Sequence, residues 1–138
     1  MSGRAEPIFD KLTFDGNAET AIDTSYYLVK RGTDLSDVVE TAANTDYPVG
    51  RANHKQNTVG GAVQCQPLLP GQQLKFISDG TIDGSGQLLM PSAVVAGRVA
   101  KATPAAGEVI IGRSAEAQAT ANRVVMVDTL SPFRYAAT

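Results

Sequence analysis

Apolar residues along this chain come in short runs broken by turn residues, with no sustained helical spacing after about residue 24. That pattern predicts strands over Ser25–Lys30, Val38–Thr41, Tyr47–Ala52, Ala62–Gln66, Gln73–Ile77, Val94–Ala100, Val109–Glu116 and Arg123–Leu130. Val63 and Cys65 alternate with Gln64 and Gln66, and Val125 and Val127 with Met126 and Asp128, as expected of a sheet with one buried face. Val109-Ile110-Ile111 is apolar on both faces, which fits a barrel centre or a subunit interface. Two stretches are ambiguous. Ser114–Asn122 alternates like a strand but is rich in helix-favouring alanine, and is read as a strand ending near Ala117. Leu35, Val38 and Val39 follow Asp34 at helical spacing and allow a single helical turn.

Thirteen glycines and seven prolines punctuate the runs. Thr103–Gly107 suits a hairpin loop, and the Asp-Gly pairs of Asp79–Gly86 supply the positive φ of tight turns. No internal repeat of fixed period is apparent. Before Asp23 the sequence is polar and small, with Ile8, Phe9, Leu12 and Phe14 in no sustained period. Residues 1–23 are therefore expected to form an extended arm, with a reach of about 75 Å if fully stretched. Residues 24–138 are expected to form an all-β body, a small β-barrel or β-sandwich.

Composition narrows the function more than it identifies it. At 138 residues one compact domain is expected, and 43% apolar content supports a real core. A net charge of −2 argues against nucleic acid as a partner. Residues 1–60 carry nine acidic and six basic side chains, residues 61–138 five and six, a mild segregation that a solvated surface accommodates. No window approaches a transmembrane span and no signal peptide is evident, so no membrane partner is expected.

Catalytic and metal chemistry find few residues to work with. One cysteine, Cys65, and one histidine, His54, cannot supply a Cys/His zinc site or a disulfide. His54 lies in a polar stretch read as a solvated loop, and Cys65 reads as a small buried hydrophobe. Asp79, Thr81, Asp83 and Gly84 match the opening of a calcium loop, but Met90 stands where a bidentate Glu is needed. Gly84-Ser85-Gly86 lacks the spacing of a nucleophile elbow, and Gly60-Gly61 leads into Ala62 rather than a phosphate-binding Lys. No enzyme activity, metal or cofactor is expected. Large rings cluster near the termini, which are thus expected to be tied down against the same subunit, a sister subunit or a partner, and Tyr26, Tyr27, Phe133 and Tyr135 are assigned to a subunit interface.

The second half resembles small tailed-bacteriophage capsid decoration, or cement, proteins. The residues that carry the resemblance are Val94–Ala100, the Pro/Ala/Gly loop, Val109–Ala117 and the closing Val124–Val127, with Pro48–Ala52 and Gly60–Val63 also fitting. The resemblance implies a β-rich homotrimer made in the host cytoplasm. It would sit on the outer surface of a virion head, bridge major capsid proteins and stabilise the shell. Ile8, Phe9, Leu12 and Phe14 are expected to anchor the arm on the capsid by strand addition. A carbohydrate- or surface-binding β module of a fibre or tail accessory is the alternative, weakened by the absence of Trp.

Overall fold

A computed structural model describes residues 13–118 and 120–136, and among them all regular structure is β. The strands are β1 (Phe14–Ala18), β2 (Leu28–Arg31), β3 (Asp37–Glu40), β4 (Gly50–Ala52), β5 (Ala62–Pro67), β6 (Gln73–Ile77), β7 (Leu88–Pro91), β8 (Val99–Lys101), β9 (Val109–Ser114) and β10 (Val124–Arg134). The first five close a barrel in the order β1-β3-β2-β4-β5, β5 pairing back onto β1. The second five form a sheet in the order β6-β10-β9-β7-β8. A parallel bridge between Ser78 and Val99, with Asp79 N–H donating to Val99 C=O at 2.7 Å, joins its two ends.

The two halves are the same structure built twice. Strands β1 to β5 correspond in order to β6 to β10, and every pairing of the first barrel recurs in the second. Ile22 and Gln56 exchange backbone hydrogen bonds of 2.8 and 3.0 Å, as Ile82 and Gln118 do at 2.7 and 3.0 Å. The side chains repeat as well. Gln56 donates to Ala62 C=O and accepts from Thr58 N–H, while Gln118 donates to Val124 C=O and accepts from Thr120 N–H. Gly50-Arg51 matches Gly112-Arg113, and Ile22-Asp23-x-Ser25 matches Ile82-Asp83-x-Ser85. The sequence shows no repeat of fixed period, yet the fold is repeated. The offset drifts from sixty residues at Ile22 and Ile82 to sixty-two at Gln56 and Gln118, because turn lengths differ, so no single period fits.

Several expectations need correction. Residues 14–23 are not part of an arm: β1 pairs with β5 and β3, and Ile22 is fully buried. Residues 1–12 lie outside the described residues. β7 lies over Leu88–Pro91, where no strand was expected, and Val94–Arg98 is a turn leading into β8. The segment from Asp34 contains β3 rather than a helical turn. Thr103–Gly107 does not make a hairpin, since β7 separates β8 from β9; the loop crosses over and is tied to the buried Glu108 carboxylate by Thr103 and Ala105 N–H groups.

Alternation fills each barrel. Val29, Val38, Val63 and Cys65 pack inside the first with Ile22 and Tyr27, and Leu89, Val99, Ile111, Val125 and Val127 inside the second with Phe76 and Ile82. The barrels share material: Leu28 and Leu68, pointing outward from the first, complete the core of the second. Gly97 locks them together. Thr41 N–H donates to Leu28 C=O at 3.1 Å, but Leu28 N–H donates instead to Gly97 C=O, and Gly97 N–H to Thr41 C=O, both at 2.8 Å. The Gly97 peptide is therefore a wedge between the parting strands β2 and β3. Its φ is +82°, and an added Cβ would lie 2.6 Å from Tyr27 Cγ and 2.9 Å from Tyr27 Cβ. Two penalties then meet at one atom, so Gly97→Ala is expected to lower the unfolding free energy by about 3 kcal/mol. Gly71→Ala, at φ +85° with nothing within 4 Å of its Cβ, carries the backbone penalty alone and should cost about 1 kcal/mol. Urea melts of the two variants separate the clash from the strain.

Candidate interaction surface

On the outside of the second barrel the alternation opposite to its core brings apolar side chains together. Met90, Ala102 and Ile110 form a separate buried cluster, and Leu88, Ala100, Leu130 and Tyr135 pack half-buried around it. The rim is aromatic. Tyr47 is 47% exposed and Phe133 42%, and the Tyr47 hydroxyl donates to Pro132 C=O. Arg134 stacks over the Tyr47 ring at 5.8 Å while donating to Thr45 and Gly107 C=O groups, each at 3.2 Å. Tyr, Phe, Met and Arg around an apolar centre are the residues that concentrate binding energy at protein interfaces.

The expected interface and anchor residues divide over the molecule. Phe133 and Tyr135 belong to this face. Tyr27 does not: it is buried inside its own barrel, with its hydroxyl accepting from Arg98 Nε at 3.3 Å. Tyr26 is half-buried at φ +72°, the Arg51 guanidinium 5.0 Å above its ring. Phe14 lies on β1 and packs on the first core beside Gly50, so it serves the barrel rather than an arm. Ile8, Phe9 and Leu12 lie outside the described residues. Met90 and the Leu88–Leu130 pair were missed, because Leu88-Leu89-Met90 reads as one apolar run until β7 assigns alternate residues to opposite faces.

Neither reactive side chain is placed for chemistry. Cys65 is fully buried, and loss of solvent, with the Asp15 charge adding, pushes its thiol up to about 12, so the thiolate is inaccessible near neutrality. His54 Nε2 accepts from Gln64 N–H at 3.2 Å, which puts the ring proton on Nδ1, against Lys55 C=O at 2.9 Å. Asp83 pairs with Lys101 at 2.8 Å, and Gly80 and Gly86 take φ +93° and +81°, so Asp79–Gly86 bends tightly on either side of the Ile82–Gln118 bridge. Among the described residues no group of three His, Cys, Asp or Glu side chains could hold a metal ion.

No protein-family model matches the chain, and no curated protein does. Solved structures are similar to it. One is the N base of head fiber gp8.5 of bacteriophage phi29, at a TM-score of 0.64 and 18% identity, covering 86% of this chain and 93% of that one. The shared property is the fold. It extends over both barrels, since 86% of the chain cannot be accommodated by either half alone.

The repeat also exposes a mismatch. Lys101, paired with Asp83 in the second barrel, is replaced in the first by Glu40, whose Oε2 accepts from Asp23 N–H at 3.1 Å. Burial, with the Asp23 charge adding to it, raises the Glu40 pKa against that hydrogen bond. A raised carboxyl contributes stability that is present below its unfolded pKa and is lost as pH rises through its folded value. Glu40→Gln should therefore stabilise the protein at neutral pH, by about 0.5 kcal/mol for this half-exposed group, and not at pH 3. Thermal melts at the two pH values check the sign.

Proposed function

We propose that the chain is a structural component of a tailed-phage virion: a decoration protein that binds the outside of the head as a homotrimer, bridges major capsid proteins and stabilises the shell without catalysing a reaction. The observation that carries the reading is the likeness to a head-fibre base across both barrels. Two features support it. The first sheet closes into a barrel and the Ser78–Val99 bridge ties the two edges of the second, so among the described residues little sheet edge is left along which virion proteins could aggregate. The groups that catalysis would recruit, Cys65 and His54, are committed to the core and to backbone hydrogen bonds. Ile8, Phe9 and Leu12 are assigned to capsid contact, where three short apolar segments per trimer would act together through effective concentration.

Cosedimentation with purified heads of the encoding phage tests this. The full chain should pellet with heads in a saturable way and raise the temperature at which they release DNA. Removing residues 1–12 should weaken binding at least tenfold while leaving the melting temperature unchanged, whereas removing residues 1–23 deletes β1 and should unfold the first barrel. The double variant His54→Ala, Cys65→Ser should bind as the parent does. Absence of any head binding by the full chain overturns the reading.

A further inference from the structure

The duplication lets one half of the molecule report on the other. In the first repeat, the outward-facing Leu28 is fully buried and Leu68 is 7% exposed, because the second repeat sits on them. Their counterparts in the second repeat are Leu88 and Leu130, which face outward in the same way and are left half-exposed. The surrounding positions are more apolar than in the first repeat: Met90 stands for Lys30 and Ala102 for Thr41. So the second repeat carries the surface on which, one repeat earlier, another barrel already sits.

The element that does the covering also has a counterpart. Leu28 is covered by the β7–β8 turn, at Gly97. The parallel bridges Ala18–Val38 and Ser78–Val99 align Gly97 with Ser36, and Ala96 with Leu35. Ala96 is half-buried at the internal contact, whereas Leu35 is 89% exposed at the tip of the β2–β3 turn. That tip is held in shape. Arg31 donates to Leu35 C=O at 2.6 Å, and Glu19 accepts from Thr33 N–H at 2.5 Å. One apolar tip and one apolar face are thus both uncovered, and they are the two halves of a contact the chain already makes once.

We propose that a second copy of this chain docks its first barrel on the outer face of the second barrel, Leu35 lying against Leu88, Leu130 and Phe133. The Ser36 C=O already accepts from Asn17 N–H at 2.8 Å, so the Leu35 side chain makes this contact in place of the peptide wedge that Gly97 supplies. The two surfaces differ, so the contact is head-to-tail, and a closed ring alternates first and second barrels around its axis. This names the surface of the self-association in the proposed function, and only the number of copies rests on that reading.

The test needs no heads. Analytical ultracentrifugation of the full chain should show concentration-dependent association. Leu35→Asp should weaken it at least 100-fold with an unchanged melting temperature, and Phe133→Ser should weaken it from the opposite side. Val94→Asp, on the other exposed tip at 85%, should leave it unchanged. Co-expressed Leu35→Cys and Leu88→Cys copies should form a mixed disulfide, with the buried Cys65 silent; Leu88→Cys copies that link only to each other would show a face-to-face contact and overturn the proposal. A chain that stays monomeric sinks both the proposal and the trimer, while an oligomer indifferent to Leu35→Asp and Phe133→Ser sinks the proposed surface alone.

Discussion

The insertion of the Gly97 peptide between Leu28 and Thr41 decides how the two barrels become one body. Each barrel is built from about half the chain, a size at which burial is marginal. The wedge brings the β7–β8 turn onto the first barrel, and with it Leu28 and Leu68 enter the core of the second. Separating the barrels would uncover both leucines and strand the N–H of Leu28 and the C=O of Thr41, groups that are costly to leave unpaired away from water. The hydrogen bonds fix the orientation, and the leucines supply the apolar burial. Arg98 on the Tyr27 hydroxyl and Tyr47 on Pro132 C=O extend the same junction at its edges.

Four strands of the first barrel, β2 to β5, were legible in the sequence, and in the second β6, β9 and the first part of β10. Each carries a short apolar run between turn residues, and in Ala62–Pro67 and the first part of Val124–Arg134 alternation adds to it, so pattern and structure agree. β1 escaped because Phe14-Asp-Gly-Asn-Ala contains one large apolar side chain; Gly16 takes a core-facing position with Val38 packed above it, and a buried glycine sends no hydrophobic signal. β7 escaped for the opposite reason, since Leu88-Leu89-Met90-Pro91 is apolar throughout and no alternation marks its core face. The terminal aromatics were legible as residues needing cover, but the sequence could not say whose. For Phe14 and Tyr27 the cover is their own barrel.

The duplication was hidden because the matching residues are scattered and the turns between them differ in length, while the backbone geometry is kept throughout. Tyr26 at φ +72° occupies the place of Gly86 at φ +81°, and Asn122 at φ +62° that of Gly60 at φ +85°. A left-handed turn can be filled by glycine, by asparagine, or at greater cost by a tyrosine held from above by Arg51. Core residues exchange as well, Cys65 for Val127 and Val29 for Leu89. Gly50 and Gly112 did not change. A Cβ at Gly50 would lie 2.6 Å from Gln66 C=O, and one at Gly112 would strike Asp128 C=O, so the neighbouring strand admits hydrogen alone at both positions. At these two positions retained identity marks where backbones approach closely, which is a constraint of folding.

Function is therefore to be sought where the two halves differ at matching positions. Differences inside the barrels compensate one another and leave the shape alone. Differences on the outer face do not: Lys30 pairs with Asp46 at 3.0 Å in the first repeat, and Met90 replaces it beside Ile110 and Ala102 in the second. A charged, ion-paired position has become an apolar one on a face that its own chain covers only in part. The monomer buries Met90 itself but leaves Leu88 and Leu130 on the same face half-exposed to water. An assembly gains burial from it, and gains direction too, since the matching face of the first repeat is already filled and cannot compete.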